Sequence, residues 1–521
     1  MALTWGEWVA VMVGIVSLVL VFRAAGNYAS SAFLPLVVPI LLLLTSRLER
    51  SRARRAARAL WASLEGYCSG GKIPWVATLV FVVAPSWLLY LSNDHVDLIG
   101  DTSTVIPSAI SLINEGNTDL DEFLNERSWW LKVPKSETQD GISFFLRKRR
   151  DHIYPAHPSG MIPLAVPVVG LAKLAGARLS DPMVHRRLEK LTASAVASVS
   201  LGVFFLLALC LVRPAPALTT TVILAVASGM FTTVSQNPWQ HDGIILGSLL
   251  LLFLEFRGPS RAGVVVPGLI CGTMPACRVT ALTFLLPFWI WILVRSPKRA
   301  LAVAVVAALA FLPWGTYYTW IYGSLLGPSS SQVGGVLWSD RIPTQLAAVL
   351  LSPGRGLLIY QPWILLAFLP LIPSLRRSAE KLAVAEGPKG WLSVCIAAIV
   401  LEVGLVSAWW CWWGGYCWGS RLVMGIVPLC ALACAQPIAA LVATRQGRAL
   451  IVALGIVGTL VQIPAVYGGA YRWNLTHAES PEQAAWSWSD APFFAPFTLP
   501  PRAPRSLSRG HSSERTQTQY R

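Results

Sequence analysis

The chain has 521 residues, of which 54% are hydrophobic and 13% are charged, and its formal net charge is +16. Its apolar residues come in blocks of membrane-spanning length, which indicates a membrane protein rather than a soluble one. The arginines cluster between these blocks, as the positive-inside rule expects, so the net charge does not indicate nucleic-acid binding.

The N-terminal segment 1–73 contains two apolar runs, Trp8–Phe22 and Ala32–Thr45, and then a densely basic stretch over residues 47–58. The first run lacks both a basic n-region and a small-residue cleavage site, so we expect it to be a retained span rather than a signal peptide. Basic residues concentrate on the cytoplasmic side of membranes, which places residues 47–58 in the cytoplasm.

The next apolar run, Pro74–Ser92, leads directly into an acidic stretch that contains Asp94, Asp97 and Asp101. Ionised side chains at membrane depth are costly and usually line a polar cavity or a site. The simpler alternative is a solvated loop that happens to begin with acids. The polar segment that follows predicts a large first external loop, residues 93–190, and loops of such length are usually functional.

Within this loop, the apolar stretch Ser159–Ala175 is interrupted by Pro163 and Pro167. It either crosses the membrane or lies in the interface. If it stays outside, the basic residues that follow the later spans face the cytoplasm, and if it crosses, they face outward. The positive-inside rule favours the first arrangement. The later spans are then predicted over residues 191–212, 217–235, 243–256, 262–277, 279–294, 300–320, 357–373, 391–410, 421–441 and 449–468.

These segments predict an all-α polytopic membrane protein with about thirteen transmembrane helices. The N-terminus would lie inside and the C-terminus outside, in the cytoplasmic (inner) membrane. We assign residues 74–470 to the main transmembrane domain. Residues 471–521 are rich in Pro, Ser and Arg, which predicts a disordered external tail.

Polar and aromatic residues collect on the predicted outer face, whereas the cytoplasmic loops are short and basic. Each of these outer features has a simpler explanation. Tryptophans often form an interfacial belt, arginines at span ends can snorkel, and a lone loop histidine is more often hydrogen-bonded than catalytic. The nine cysteines show no metal-ligand spacing, and Cys411 and Cys417 could form a disulfide in an outer loop. The outer face receives Asp101, Trp239, His241, Arg278, Arg355, Trp412, Trp413, Tyr416 and Arg421.

Several of these segments resemble the polytopic GT-C glycosyltransferases related to bacterial dolichyl-phosphate-mannose–protein mannosyltransferases and lipid A aminoarabinose transferases. The resemblance covers roughly residues 74–430 and depends on the order and common sidedness of its pieces. Two features depart from the family: the first external loop lacks an adjacent Asp-Glu pair, and the two N-terminal spans are additional. The resembling pieces are Gly100-Asp101, residues 115–123, Tyr154 to Gly160, Trp239-Gln240-His241, Arg278-Val279-Thr280, Ser352 to Gly356 and the Trp- and Gly-rich stretch that ends at Arg421.

The resemblance implies a GT-C-like helical bundle that moves a sugar from a polyprenyl-phosphate donor to a glycan, lipid or protein acceptor outside the cytoplasmic membrane, with inversion. Asp101 is the expected catalytic base, with Asp94 and Asp97 as alternatives, because an acceptor hydroxyl must lose its proton as it attacks. Arg278, Arg355 and Arg421 would bind the donor phosphate. No cofactor is expected, and a divalent metal is possible but not required. The expected substrate-binding residues are Tyr154, His157, Trp239, His241, Trp412, Trp413 and Tyr416.

Two other functions remain open at this stage. A transporter or flippase of lipid-linked sugars would also need a polar cavity, but it is expected to show internal repeats and ionisable residues inside its spans. No convincing repeat is visible, and Glu402 is the clearest intramembrane acid. A non-catalytic envelope-assembly protein is the third possibility.

Overall fold

The structure is a computed structural model, and residues 50–68, 71–93, 100–124, 138–139, 142–143, 145–258, 263–325, 327, 338–371, 387–466, 473–474, 476–477 and 480–494 are described. The predicted spans Trp8–Phe22 and Ala32–Thr45 lie outside the described residues. So do Asp94 and Asp97, the two alternative catalytic carboxylates.

The first half of the described chain is helical except for two short β-hairpins in the predicted external loop. These are β1 (Thr138–Gln139) with β2 (Ile142–Ser143), and β3 (Leu146–Arg149) with β4 (His152–Pro155), both antiparallel. The helices are α1 (Arg50–Cys68), α2 (Trp75–Leu91), α3 (Gly100–Ser103), α4 (Val105–Asn114), α5 (Asp121–Leu124), α6 (Ile162–Leu174), α7 (Pro182–Leu209) and α8 (Pro214–Val226).

The second half continues as an array of apolar helices with short connections. The helices are α9 (Gln240–Phe256), α10 (Val265–Cys277), α11 (Leu282–Arg295), α12 (Pro297–Tyr322), α13 (Ile342–Leu351), α14 (Leu357–Tyr360), α15 (Trp391–Ala408), α16 (Arg421–Val442), α17 (Arg445–Val466) and α18 (Pro481–Ala485). A π-helical turn, Met230–Val234, follows α8, and a 3-10 helix, Pro362–Leu371, follows α14.

The described chain is that of a helical membrane protein. Among the described residues, five helices (α7, α12, α15, α16 and α17) are long and apolar enough to cross a membrane. Shorter apolar helices lie in four further predicted spans, Pro74–Ser92, 217–235, 262–277 and 279–294. The stretch Ser159–Ala175 contains α6, which packs on α4.

The helices differ in how deeply they are buried, and this places the core. The apolar windows of α7 and α16 are 83% and 89% buried, whereas that of α12 is only 17% buried and faces outward. Helix α12 packs closely on α10, because an added Cβ at Gly272 would lie 2.3 Å from the Ala307 carbonyl oxygen. Small residues permit this backbone approach, which is how membrane helices commonly associate.

Two described stretches lie outside the predicted spans. Helix α13 was not expected, because ten residues are too few to register as a span in a hydropathy window. Residues 480–494 fall in the predicted tail 471–521 and contain helix α18. Helix α18 is anchored by Ala485, which is fully buried and whose carbonyl accepts a hydrogen bond from the Gly354 amide at 2.8 Å. The average composition of the tail does not indicate the burial of Ala485.

The two ends of α9 have opposite character. At its C-terminal end Glu255 accepts a hydrogen bond from Arg299 at 2.5 Å and lies 3.7 Å from Arg295, while Arg257 lies over the Tyr67 ring of α1. All three arginines belong to the predicted cytoplasmic set. The N-terminal end of α9 carries Gln240, and its 17 residues separate the two ends by about 25 Å.

Candidate active site

The predicted base Asp101 lies against two other predicted site residues. One of its carboxylate oxygens, Oδ2, accepts a hydrogen bond from Arg421 Nη1 at 3.1 Å. The other, Oδ1, lies 3.4 Å from His157 Nε2. The side chains are 28% exposed for Asp101, 18% for His157 and 10% for Arg421, so the cluster is only partly accessible.

A second group of residues completes this cluster from the N-terminal end of α9. The Arg421 guanidinium lies 4.4 Å from the centroid of the Trp239 ring, and Arg278 Nη1 donates to Gln240 Oε1 at 3.3 Å. His241 interacts electrostatically with both arginines. It is only 1% exposed, and neither of its ring nitrogens has a hydrogen-bond partner among the described residues. Such a side chain has hydrogen-bonding capacity left for a ligand.

The loop that carries His157 is held directly on the end of α10, next to Arg278. The Gly160 amide donates to the Ala276 carbonyl at 2.9 Å, and Tyr318 Oη both donates to Ala276 and accepts from the Ser159 amide. A Cβ on Gly160 would lie 2.4 Å from the Cys277 nitrogen. Only glycine permits this approach. The sequence Ser159-Gly160 therefore holds the loop, and with it His157, close to Arg278.

Local hydrogen bonds also orient the turn before α9. The Asp242 carboxylate accepts from the Trp239 amide at 3.1 Å, which satisfies one of the free donors at the helix N-terminus. Behind this turn, buried Lys190 donates to Asn93 at the end of α2 and to Gln236. Lys190 is therefore internal, and it ties the start of the external loop to the turn.

The charges of the cluster set the protonation of Asp101 and His157. Burial alone would raise the pKa of Asp101, but His157, Arg421 and Arg278 outweigh it and lower the pKa below its usual 3.8. Burial lowers the pKa of His157, and the two arginines lower it further against the opposing effect of Asp101. At neutral pH the site therefore holds an ionised carboxylate beside an uncharged imidazole.

Arg355 does not join this cluster. It is 3% exposed, and its guanidinium donates to the backbone carbonyls of Cys417 and Gly415 and to Asn474 Oδ1, at 2.9, 3.2 and 2.5 Å. It also lies 5.1 Å from the centroid of the Trp473 ring. These contacts show Arg355 clamping the 409–420 loop to residues 473–474, so both of its Nη nitrogens are engaged within the protein.

The clamped loop leads into Arg421 through tight turns. Gly419 has a φ of +55°, and a Cβ there would lie 2.7 Å from the Tyr360 ring, so both the conformation and the contact require glycine. Trp412 is buried and packs edge-on against Trp413, while Tyr416 is 44% exposed. Cys411 and Cys417 are free thiols.

Tyr154 lies elsewhere in the external loop. It is 4% exposed and packs edge-on against Trp320, in the aromatic cluster of Tyr318 and Tyr322. This environment supports the position of the loop on α12. No described contact joins Tyr154 to Asp101.

Glu402 is a component of the site that the sequence prediction did not include. It lies on α15, is 3% exposed, and accepts a hydrogen bond from Thr283 Oγ1 at 2.6 Å. It also attracts the Arg278 guanidinium electrostatically. Glu402 is an acid within an 18-residue apolar helix, and this position in the sequence could have indicated a functional residue.

A separate carboxylate cluster lies farther along the external loop. Asp119, Asp121 and His152 offer ligand atoms within 4.8 Å of one another, a spacing that could hold a metal ion. His152 Nδ1 is already 2.6 Å from Asp121, and hydrogen bonding to this carboxylate raises the pKa of His152. The imidazolium can therefore neutralise the carboxylates without an ion.

The arrangement around Asp101 joins one ionised carboxylate, two arginines and the buried His241, whose ring nitrogens have no partner within the described part of the chain. Comparisons with family models, with curated proteins and with solved structures found no match to this chain.

Proposed function

We propose that this protein is a membrane glycosyltransferase that moves a sugar from a polyprenyl-phosphate donor to an acceptor at the extracytoplasmic face. The observation that carries the proposal is the contact of Asp101 with Arg421, beside Arg278 and His241, at the ends of apolar helices. A lipid-linked phosphate needs a cationic site that opens to the membrane, and an acceptor hydroxyl needs a base beside it.

The proposed reaction is a single inverting displacement. The acceptor O–H bond breaks as its oxygen forms a bond to the anomeric carbon, and Asp101 takes the proton. The bond from the anomeric carbon to the phosphate oxygen breaks at the same time, and its electron pair leaves with polyprenyl phosphate. Fixed guanidinium donors stabilise the charge that develops on this leaving group.

Arg421 has a double role in this reaction because it is paired with Asp101 in the resting site. As Asp101 accepts the proton, its negative charge disappears while the phosphate gains one. Arg421 can then bind the phosphate without leaving a buried carboxylate unpaired, which would be costly. Glu402 and Gln240 hold Arg278 on the other side.

The proposed placement of the site outside the membrane is supported by the opposite characters of the two ends of α9. The predicted cytoplasmic arginines gather at one end, and the site lies at the other. The positive-inside rule then puts the site on the extracytoplasmic face.

The function is tested in cells that lack this protein. We expect one polyprenyl-phosphate sugar to accumulate and one envelope glycan, lipid or protein to lose that sugar, as lipid extraction and mass spectrometry would measure. Expression of the wild-type chain should reverse both changes. The Asp101→Asn variant, produced at an equal level, should reverse neither, whereas a flippase that does not use this carboxylate chemically would restore the product. Unchanged lipid-linked sugars in the deletion strain would rule out the proposed donor class.

The sidedness of the site is tested with single cysteines in a background in which Cys68, Cys210 and Cys411 are replaced by serine. These are the cysteines that are not fully buried. Exposed Ala175, in the external loop, changed to Cys should react with an impermeant thiol reagent added to intact cells. Exposed Lys298, at the start of α12, changed to Cys should react only after the cells are opened. The reverse pattern would put the site in the cytoplasm and exclude the proposed orientation.

A further inference from the structure

A small cavity lies between α13 and α18, away from the Asp101 cluster. Its volume is about 200 Å³. By the space that one water occupies, this is room for roughly ten waters, on the order of one small polar ring. The residues that line the cavity include Arg341, Gln345, Trp412, Glu482, Gln483 and Trp486.

The walls of this cavity are held in place by the packing of α18. The Gly354 amide donates to the Ala485 carbonyl at 2.8 Å, and a Cβ on Gly354 would lie 2.7 Å from the Ala485 Cα. Across the cavity, Arg341 of the α13 side pairs with Glu482 at 3.4 Å. The wall formed by α18 is therefore fixed by its close packing on Gly354.

One lining residue has an unsatisfied group that points to a ligand. Gln345 is 4% exposed, and its Oε1 has no hydrogen-bond partner among the described residues. A buried acceptor without a donor is energetically unfavourable, so a ligand that donates a hydroxyl or amide proton to Gln345 Oε1 would remove this cost. Thr344, adjacent in the chain, also lines the cavity.

The chemistry of the lining selects the class of ligand. Trp412 and Trp486 supply indole rings, and Gln345 and Gln483 supply amides that both donate and accept. A pyranose has an apolar C–H face that packs on an indole and a rim of hydroxyls that bond to amides. The charges of Arg341 and Glu482 are paired with each other, so nothing in the lining favours a charged ligand.

We infer that this cavity binds a neutral pyranose of the acceptor, which would make the acceptor a glycan or glycolipid. The inference rests on the proposed glycosyltransferase function and specifies its acceptor. Trp412 belongs to the 409–420 loop that leads directly into Arg421, so the cavity and the Asp101 site share one structural element. A saccharide in the cavity would be held beside the loop that leads into the proposed phosphate-binding Arg421.

The test measures binding of three separate probes to the purified full-length protein in lipid nanodiscs, by saturation-transfer difference NMR. The probes are methyl α-D-glucopyranoside, methyl α-D-mannopyranoside and methyl β-D-galactopyranoside. At least one should bind saturably to the wild-type chain. Trp486→Ala and Gln345→Leu should each weaken it at least tenfold. Trp486 is 42% exposed, so this variant tests the ligand contact without removing a core residue.

Trp488→Ala is the matched control, because Trp488 is 58% exposed and close in the chain but does not belong to the lining. It should bind the probe as the wild-type chain does, and so should Asp101→Asn. Absence of saturable binding for all three glycosides would overturn the inference, and so would binding that survives both cavity variants. These titrations contain no donor lipid, so failure here leaves Asp101-dependent transfer intact, whereas failure of the proposed function would appear as normal transfer by Asp101→Asn.

Discussion

We expect Asp101→Asn to slow sugar transfer at least a hundredfold in a single-turnover assay with purified protein and lipid-linked donor. General-base catalysis typically contributes about a hundredfold to ten-thousandfold. Asparagine keeps the size of the side chain and an oxygen that can accept from Arg421 Nη1, which lies 3.1 Å from Asp101. The variant should therefore insert and bind the donor while losing only the basic carboxylate.

Asp151→Asn is the matched control for this experiment. Asp151 belongs to the same external loop, and its side chain is 98% exposed. Its φ of +67° is in the left-handed region that asparagine also adopts, so the exchange should leave both folding and transfer unchanged. Asp94→Asn and Asp97→Asn belong in the same series. Normal transfer by Asp101→Asn together with an inactive Asp94 or Asp97 variant would assign the base to that residue, and activity in all three would exclude a carboxylate base.

The helical and membrane-embedded character of the chain could be predicted from the sequence because it depends on the length of the apolar runs. The runs that predict spans at 191–212, 391–410 and 449–468 correspond to α7, α15 and α17. Hydropathy misses elements that are short and packed at the surface. Helix α13 has ten residues, and α18 is ordered by its contact with Gly354, which no local pattern encodes.

The sequence predicted that the site residues share one side of the membrane, but it did not predict which of them are in contact. Asp101 and Arg421 are 320 residues apart, and sidedness put them on one face but did not place them in contact. Arg355 shows why the same signal can mislead. An arginine between glycines on an outer turn was expected to present its guanidinium to a ligand, yet it binds the carbonyls of Cys417 and Gly415. Backbone acceptors of this kind are invisible in a sequence.

The second large effect is expected for Arg421→Ala, which removes the guanidinium that lies between Asp101 and the Trp239 ring. Loss of one preorganised donor to a developing negative charge typically costs about a hundredfold to a thousandfold in kcat. Arg278→Ala should have a comparable effect on donor use. Lysine at either position should restore only part of the activity, because it lacks the planar fork that binds a phosphate through two hydrogen bonds.

Arg421→Ala should also change the pH dependence of kcat/KM, which separates a catalytic arginine from a structural one. The pKa of Asp101 is lowered below 3.8 partly by Arg421, while burial acts in the opposite direction. The base must be ionised, so wild-type activity should fall only as the pH drops through this low value. Without Arg421 the effect of burial is less opposed, the pKa of Asp101 rises, and the acid limb should move to higher pH.

The control is Arg178→Ala, which changes an exposed arginine of the same external loop and should leave both the rate and the acid limb unchanged. Full activity with an unshifted acid limb in Arg421→Ala would show that Arg421 neither binds the phosphate nor sets the protonation of Asp101.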